Sequence, residues 1–206
     1  MAPNLAGSVV GVTAEAQKTA LRDQLVTDRS RRSVLEQAQA AREIAGHLLA
    51  APEVRRAATV AAYVGVGREP LTGPLLDGLV AAGKRVVLPV LLPDGDLDWA
   101  AYDGPDSLLP APRGLLEPAG RRLGPDSVAT PDAVLVPALA VDRSGMRLGR
   151  GGGSYDRALA RVPVGTFVCA LLHDGELLDD VPHDPHDRRV TAVVLPAAGV
   201  IRLGRG

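Results

Sequence analysis

Aromatic residues, lysine and cysteine are all scarce in this chain of 206 residues. Aromatics make up 2% of the sequence, so alanine, valine and leucine must fill the hydrophobic core. Arginine supplies nearly all of the positive charge, because Lys18 and Lys84 are the only lysines. With a formal net charge of -1, the chain lacks the strongly basic balance of proteins that bind nucleic acid through a broad surface. We therefore expect no nucleic-acid partner.

Cys169 is the only cysteine, which excludes an intrachain disulfide and is typical of proteins from the reducing cytoplasm. No apolar run reaches the roughly 18 residues that a membrane-spanning helix needs, so we expect no membrane partner. Residues 1–12 lack the basic start and long apolar run of a signal peptide, and we interpret them as a flexible N-terminal extension. The length suits one domain, residues 13–206, and we expect a cytoplasmic monomer.

Apolar periodicity predicts a single α/β domain, an open and mainly parallel sheet flanked by helices. Two helices open the fold: we expect Thr13 to cap the first and Thr27 to cap the second, which ends at Pro52. Further helices are predicted at 70–82 and 154–161, and strands at 59–64, 85–90, 97–102, 133–136, 165–172 and 190–195. Alternation in the third strand predicts one exposed face. Residues 103–131 are rich in proline and glycine and are predicted to form a long ordered loop with a short turn near 115–117.

Four glycines lie within five positions, at 149, 151, 152 and 153, between a predicted strand and a predicted helix. Glycine permits positive φ angles and lets the backbone approach a ligand closely. Backbone N–H groups at the start of a helix attract anions, and Arg147 and Arg150 add full positive charge. This combination predicts a site for a phosphate-bearing ligand, with a flexible surface turn as the alternative.

The glycine-rich loop alone leaves the type of phosphate ligand open. It contains no Gly-Lys-Ser/Thr and is therefore not a P-loop. Gly149 and Gly151 approach the dinucleotide pattern G-x-G-x-x-G/A, with Ser154 in the third place. Asp174 follows about 20 residues later, after a strand, as a dinucleotide site requires. A dinucleotide therefore remains an alternative ligand at this point.

The surrounding residues resemble the signature of the 5-formyltetrahydrofolate cyclo-ligase family, whose members are also called 5,10-methenyltetrahydrofolate synthetases. The central match consists of Val136-Pro137-Ala138-Leu139-Ala140-Val141-Asp142, then Gly145, Arg147-Leu148-Gly149, Gly151, Gly153 and Tyr155-Asp156-Arg157. Outer matches occur in the family's order at Lys18 with Leu21-Arg22, Tyr63 through Glu69 to Thr72, Gly114-Leu115-Leu116-Glu117-Pro118, and His186-Asp187. The ordered set implies a ligase of one-carbon metabolism that uses ATP with Mg²⁺.

The reaction that this resemblance implies is the ATP-dependent cyclisation of 5-formyltetrahydrofolate to 5,10-methenyltetrahydrofolate, with release of ADP and phosphate. The formyl oxygen attacks the γ-phosphate, and N10 then attacks the activated carbon as phosphate leaves. Phosphorylation is needed because an amide-like oxygen is a poor leaving group. Little covalent chemistry falls to the protein, so positioning and charge stabilisation should dominate. The expected partners are small molecules, a reduced folate and ATP.

The resemblance also implies roles for individual residues. It assigns catalysis to Arg150, Glu69 and Tyr155, and contact with the folate to Val64, Glu69, Trp99 and Tyr155. It assigns magnesium binding to Asp156 and Asp187. For ATP it implies Lys18 and Arg22, which share one helical face, with Arg147, Leu148, Gly149, Arg150, Gly151, Gly152, Gly153, Ser154 and Tyr155. Two roles stay open for Glu117, which either shapes the site or ends a turn.

Three positions depart from the family pattern. Ser154 stands where an aromatic residue is common, Val141 replaces a common phenylalanine, and Thr191 occupies a place often held by aspartate. These departures concern substrate identity more than fold or ATP use. Two alternatives therefore stay open, a related α/β enzyme acting on a sugar phosphate or dinucleotide, and a non-catalytic homologue that binds folate or nucleotide. Zinc at His183 and His186 is disfavoured, because a proline separates them and no cysteine ligand is evident.

Overall fold

The computed structural model of the protein describes residues 13–204, so the predicted N-terminal extension lies outside the described residues. Its helices are α1 (Ala14–Ser30), α2 (Val34–Ala50), α3 (Pro52–Arg56), α4 (Gly73–Ala81) and α5 (Ser154–Leu159). Its strands are β1 (Thr59–Ala61), β2 (Arg85–Leu91), β3 (Leu97–Ala101), β4 (Leu108–Ala111), β5 (Leu115–Pro118), β6 (Ala133–Pro137), β7 (Ala140–Asp142), β8 (Arg147–Leu148), β9 (Phe167–Leu171), β10 (Leu177–Leu178), β11 (Ala192–Leu195) and β12 (Gly199–Arg202). In this part of the chain, no helix is long and apolar enough to span a bilayer.

A seven-stranded sheet lies at the centre, in the spatial order β12-β11-β9-β6-β1-β2-β3. The five inner strands run parallel to one another. The edge strands β3 and β12 pair antiparallel with their neighbours. The predicted open and mainly parallel sheet is therefore confirmed, and β12 is an additional strand that the sequence did not reveal.

The sheet is apolar on both faces because each face is covered. On one face α2 and α4 pack through Ile44, Leu48, Leu75 and Leu79, all of them buried. On the other face α5 and a short 3-10 turn at Pro125–Ala129 cover β3 and its neighbours. Complete burial of one such leucine or isoleucine stabilises the fold by about 1.5–3 kcal/mol.

The expectation that β3 exposes one face is wrong. Trp99 is 0% exposed, and the alternating Asp98 is also buried. The carboxylate of Asp98 accepts hydrogen bonds from the backbone N–H of Trp99 at 2.6 Å and of Gly124 at 2.8 Å. A buried polar group is tolerated when it is hydrogen-bonded. The polar Asp98 in this alternating strand therefore anchors the loop at Gly124 and does not mark a solvent-facing surface.

The boundary between the first two helices also differs from the prediction. Thr13 caps α1 as expected, accepting a hydrogen bond from Ala16 N. Thr27 lies inside α1 and donates to Asp23 O, so its assignment as a cap is wrong. Ser33 caps α2 in a reciprocal capping box with Glu36. The Ser-x-x-Glu spacing is the sequence signal of that motif.

Helix α1 lies across the carboxyl ends of the central strands. Its Arg29 is buried and forms two hydrogen bonds with Glu176, at 2.8 and 2.7 Å. The same guanidinium donates to Ala138 O, directly after β6. Leu25 packs with Leu139 in a small apolar cluster. Ion pairs and a few apolar contacts thus hold α1 over the end of the sheet.

The segment 103–131, predicted as a long ordered loop with a short turn, contains regular strands. It contains the hairpin β4–β5, whose strands pair antiparallel from Leu108–Pro118 to Ala111–Leu115. The connection passes through Arg113 and Gly114, both at positive φ. In a second small sheet, β10-β7-β8, strands β7 and β8 directly precede the glycine-rich loop. Strands of two to four residues are too short to show the periodicity on which a sequence prediction depends.

Candidate active site

A cleft of about 380 Å³ opens at the carboxyl ends of the parallel strands. Its floor includes Tyr63 and Val64 beyond β1, Leu91 at the end of β2, and Pro137 and Ala138 at the end of β6. Crevices at this edge of an open α/β sheet are the usual ligand sites of such folds. The volume falls in the range of about 300–1,000 Å³ that small-molecule sites occupy.

Nearly all of the predicted site residues meet in this cleft. Its lining includes Lys18, Arg22, Val64, Glu69, Arg147, Leu148, Gly149, Arg150, Gly151, Gly152, Gly153, Ser154, Tyr155, Asp156 and Asp187. Trp99 is the exception. Its indole is 0% exposed within the core and does not line the cleft, so the structure contradicts its predicted contact with the folate. Periodicity could not separate a core tryptophan from one that stacks on a ligand.

The turn that follows β1 fixes Val64 and Glu69. A Cβ atom at Gly65 would lie 2.2 Å from Pro70 O, so only glycine fits there. Thr72 closes the turn, since its hydroxyl donates to Tyr63 O at 2.7 Å and accepts from Gly65 N at 3.0 Å. Glu69 Oε2 accepts from Val66 N at 3.1 Å. A buried carboxylate is thereby held at the cleft wall.

The glycine-rich loop has a defined conformation. Gly151 and Gly153 adopt φ angles of 95° and 67°, a region that favours glycine. Arg22 Nε donates to Gly149 O at 3.1 Å and ties the loop to α1. Arg157 donates to Gly152 O at 3.2 Å and to the turn between β2 and β3. These ties do not fit the alternative of a flexible surface turn.

Helix α5, which follows the loop, is shorter than the sequence suggested, with 6 residues. A helix of this length adds little dipole field, so backbone N–H groups and charged side chains must supply most of the attraction for phosphate. Lys18, Arg22 and Arg150 are the cations placed around the loop.

The two arginines of the loop occupy different environments. The side chain of Arg147 is 3% exposed, donates to Asp156 Oδ1 at 3.0 Å and to Pro137 O at 3.2 Å, and lies 5.8 Å from the centre of the Tyr155 ring. The side chain of Arg150 is 57% exposed and contacts Glu69 Oε1 at 3.3 Å. Arg147 therefore braces Asp156 and Tyr155, whereas Arg150 is free to turn toward a ligand.

Lys18 joins α1 to the loop that carries Asp187. Its ammonium lies 2.5 Å from Asp184 Oδ2 and 2.7 Å from Asp187 Oδ2. Burial lowers the pKa of Lys18, but the hydrogen bonds and charges of the two aspartates outweigh that effect and raise it above its usual value. Burial raises the pKa of Asp187, but its bonds to Lys18 and Asp184 N leave it below the usual value. Lys18 and Asp187 are therefore both charged at neutral pH.

The acidic residues of the cleft suit a hard divalent cation. Asp156 Oδ1 accepts from Arg188 N at 3.2 Å, which brings it beside the loop of Asp184 and Asp187. Among residues 13–204, Asp156 Oδ2 has no hydrogen-bond donor. No group of three or more His, Cys, Asp or Glu side chains forms a ready-made metal cage in that range. Magnesium needs none, because it typically takes one or two carboxylates together with phosphate and water.

Other sequence candidates lie apart from the cleft. Asp174, the proposed acidic partner of a dinucleotide, is not in the lining and accepts from Ala197 N at 3.2 Å. Val141 is buried in the core. Thr191 bonds to the backbone of Val168. Of the three departures from the family pattern, only Ser154 touches the cleft, so only Ser154 can contact a substrate there.

Several cleft residues were not predicted as site residues from the sequence. They include Asp184, Tyr63, Arg29 and the hairpin residues Arg113, Leu115 and Leu116. Glu117, whose role was left open, accepts from Leu91 N at 2.9 Å and so fastens the hairpin to the end of β2. The only sequence signal that could have identified Asp184 was its position three residues before Asp187. Nothing in the sequence indicated that the hairpin folds back to form a wall.

The cleft thus combines two chemical environments. One end carries Lys18, Arg22, the glycine-rich loop and the aspartates, and suits a polyphosphate with a divalent cation. The other end carries Glu69 among apolar walls from Val64, Leu115 and Leu116, and suits a flat ligand with polar edges.

Comparison with known proteins shows the family of this chain. Residues 14–196 match the model of the 5-formyltetrahydrofolate cyclo-ligase family. A 5-formyltetrahydrofolate cyclo-ligase of Mycolicibacterium smegmatis is 46% identical over 150 residues, which cover 70% of this chain and 77% of that protein. The protein of the same description from Escherichia coli K12 is 33% identical over 175 residues, which cover 82% of this chain and 96% of that protein.

Solved structures show the same fold. The 5,10-methenyltetrahydrofolate synthetase of Aquifex aeolicus matches with a TM-score of 0.78 and 27% identity, covering 92% of this chain and 94% of that one. A synthetase of Mycoplasma pneumoniae matches with a TM-score of 0.67, covering 85% of this chain and 96% of its own. At 20% identity the second likeness concerns the fold alone.

Proposed function

The chain belongs to the 5-formyltetrahydrofolate cyclo-ligase family, and we propose that its cleft performs the ATP-dependent cyclisation of 5-formyltetrahydrofolate to 5,10-methenyltetrahydrofolate. The observation that carries this proposal is the contact of Arg150 with Glu69, at 3.3 Å. It joins a loop suited to phosphate to a carboxylate suited to the folate. The reaction needs this arrangement, because a phosphate of ATP must meet the formyl oxygen of the folate.

On the ATP side, the backbone N–H groups of residues 149–153 and the cations Lys18 and Arg22 bind the phosphates. Arg22 already contacts the loop through Gly149 O. Arg147 donates to Asp156 and lies over the Tyr155 ring, so its role is to hold these two side chains in place. Arg150 is exposed, and its planar guanidinium suits the oxygens of the transferred phosphoryl group.

Asp156 and Asp187 are the proposed magnesium ligands, with Asp184 beside them. Carboxylate oxygens near a phosphate site are the donors that Mg²⁺ prefers. The chemistry that Mg²⁺ supplies when bound is neutralisation of phosphate charge. Lys18 holds the carboxylates of Asp184 and Asp187 together, which keeps their oxygens on the same side of the cleft.

On the folate side, Val64, Glu69 and Tyr155 contact the reduced pterin. The formyl oxygen attacks the γ-phosphorus, and ADP leaves. N10 then attacks the activated carbon, loses its proton, and phosphate leaves to give the methenyl product. Glu69 accepts the N10 proton, since its Oε1 becomes available when Arg150 turns to the phosphate. Tyr155 remains protonated because burial raises its pKa far above the ordinary value, so it positions substrate without exchanging protons.

The proposal is tested by mixing the protein with 5-formyltetrahydrofolate, ATP and Mg²⁺ and following the absorbance of the methenyl product. Product should appear only when ATP is present. Folded protein that forms no product above the enzyme-free control would contradict the proposed reaction. Turnover without ATP would instead favour a different α/β enzyme.

Arg150→Ala should lower kcat by at least about 100-fold, as removal of one group that stabilises transition-state charge does elsewhere. Its melting temperature should hardly change, because the side chain is 57% exposed. Arg143→Ala is the matched control, since Arg143 is also an exposed arginine in a single ion pair and lies outside the cleft. An Arg150→Ala protein that keeps its kcat would show that the transferred phosphate lies elsewhere.

A further inference from the structure

Tyr63 lies at the floor of the cleft, two residues beyond β1, and is 3% exposed. Within residues 13–204 its hydroxyl has no hydrogen-bond partner. The backbone of Tyr63 is fixed, because its carbonyl oxygen accepts from the Thr72 hydroxyl at 2.7 Å. A buried hydroxyl usually has a partner, since its lost hydration is otherwise not replaced. Tyr63 therefore carries a polar group for which the fold alone gives no reason.

The groups that act on this hydroxyl are Glu69 and Tyr155, which we place on the folate side of the cleft, and the Arg29–Glu176 ion pair. Burial raises the pKa of Tyr63 well above its ordinary value, and the charge of Glu69 adds to that effect. The hydroxyl is thus a hydrogen-bond donor at neutral pH. Glu69 does not accept this hydrogen, because no acceptor in the described residues lies within hydrogen-bonding distance of the hydroxyl. The Glu69 carboxylate instead accepts from Val66 N and contacts Arg150. The donor remains available to a ligand beside Glu69.

Other unpaired buried atoms do not share this position. In the described part of the chain they are Arg32 Nε, Trp99 Nε1, Arg147 Nε and His173 Nδ1. Arg32, Trp99 and His173 do not line the cleft. Arg147 does, but two of its nitrogens are bonded to Pro137 O and Asp156. Among the described residues of the cleft, Tyr63 is the one whose only side-chain polar group is both buried and unpaired.

We propose that the Tyr63 hydroxyl donates a hydrogen bond to a carbonyl oxygen of the bound reduced pterin, which makes Tyr63 a further folate-binding residue. This inference rests on the proposed function. In 5-formyltetrahydrofolate two carbonyl oxygens lie on neighbouring positions, one at C4 and one on the N5 formyl group, and both are acceptors. The folate is favoured over ATP because Tyr63 and Glu69 belong to one turn, whereas the phosphate-binding groups lie on α1 and the glycine-rich loop.

The test is Tyr63→Phe, which removes the hydroxyl and keeps the ring. Binding of 5-formyltetrahydrofolate is measured without ATP, so no turnover is needed. Its Kd should rise about tenfold, the worth of one good hydrogen bond. The Kd for ADP with Mg²⁺ should stay the same. The melting temperature should stay the same or rise, because the hydroxyl makes no bond in the free protein.

The matched control is Tyr102→Phe, a second buried tyrosine that does not line the cleft, and its Kd values should equal those of the wild type. A second ligand, 5-methyltetrahydrofolate, keeps the C4 carbonyl and lacks the formyl group. If Tyr63→Phe weakens both folates equally, the acceptor is the C4 oxygen. If it weakens only the formyl compound, the acceptor is the formyl oxygen.

Three results would overturn the inference. The first is a Kd for 5-formyltetrahydrofolate within about twofold of the wild type. The second is a melting temperature lowered by several degrees, which would assign the hydroxyl a structural partner. The third is equal weakening of ADP, which would indicate general distortion of the cleft. A wild-type protein that binds the folate but does not turn it over would contradict only the proposed reaction, and one that binds no folate would contradict both.

Discussion

At the scale of single residues, burial decides what each arginine of the cleft can do. The side chain of Arg147 is 3% exposed and bonded through two of its nitrogens, whereas that of Arg150 is 57% exposed and has one ion pair. Arg22 lies between these extremes and ties the loop to α1. A guanidinium fixed by its neighbours cannot follow the charge that moves during phosphoryl transfer. Arg147 therefore positions other side chains, Arg22 connects the loop to α1, and Arg150 is the arginine that can reach the transferred phosphate.

Burial also determines the charge state of His173. It is buried beside the Arg29–Glu176 pair, and its backbone N–H donates to Glu176 Oε2 at 2.8 Å. Burial, together with the charges of Arg32 and Arg29, lowers the pKa of His173 to about 4. The unfolded chain, with an imidazole pKa near 6.5, then binds more protons than the folded one between these values. Stability contributed by neutral His173 is full above this window and is lost as the pH falls through it.

We therefore predict that the free energy of unfolding decreases by about 2 kcal/mol between pH 7 and pH 5 through this residue alone. In His173→Gln the decrease over the same interval should be smaller by that amount, because the side chain no longer titrates. Urea unfolding at the two pH values measures the difference. Parallel decreases in the two proteins would show that His173 is not held neutral in the fold.

Trp99 gives a second prediction at this scale. Its indole fills the core between β3 and α5, and its Nε1 has no partner in the described residues. Trp99→Phe should lower the free energy of unfolding by about 1–3 kcal/mol, because it leaves a cavity in a packed core. The KM for 5-formyltetrahydrofolate should not change. A raised KM with an unchanged free energy of unfolding would instead indicate that Trp99 contacts the substrate.

At the scale of elements, α1 and α2 are helices of equal length, 17 residues each, that are held by different means. The inner face of α1 presents Lys18 and Arg29 to carboxylates. That of α2 presents Ile44, Ala45 and Leu48 to the sheet. The break between them is set by the capping box at Ser33, which satisfies backbone N–H groups at the start of α2.

Ser33→Ala should lower the free energy of unfolding by about 1 kcal/mol, since it removes the hydroxyl that accepts from Glu36 N and donates to the Glu36 carboxylate. Thr27→Ala is the control, because the sequence predicted Thr27 as the cap of α2. It should lower the free energy of unfolding by less, because Thr27 lies within α1 and its hydroxyl bonds only to its own helix. Thermal unfolding of the two variants decides between them. A larger loss in Thr27→Ala would contradict the helix boundary.

The sequence predicted the features whose structure depends on residues that are close together in the chain. The glycine-rich loop could be predicted because Gly151 and Gly153 need their positive φ angles to form it. The central strands could be predicted because burial on both faces requires continuous apolar runs. The β4–β5 hairpin could not, because its strands are short and Glu117 is fixed by a residue 26 positions away in sequence. Asp184 was missed as a site residue for the same reason, since its partner Lys18 lies on α1, 166 residues earlier.

At the scale of the whole molecule, the cleft is assembled from segments that meet only in the folded chain. Helix α1 contributes Lys18 and Arg22, the turn after β1 contributes Glu69, and the loop after β10 contributes Asp187. Much of the docking of α1 depends on contacts to the glycine-rich loop and the acidic loop. Several of the groups that hold α1 in place are therefore those that we propose to bind ATP and Mg²⁺.

Ligand binding should consequently stabilise α1 more than the rest of the molecule. At a hundredfold excess over its Kd, ATP with Mg²⁺ should stabilise the native state by about 2.7 kcal/mol and raise the melting temperature by about 5–10 °C. Backbone amide hydrogen exchange should slow more in α1 than in α2, since α2 is held by apolar contacts that no ligand touches. Equal slowing in the two helices would mean that the ligand stabilises only the global fold. No slowing in α1 would mean that Lys18 and Arg22 do not contact ATP, because binding through them must fix the helix that carries them.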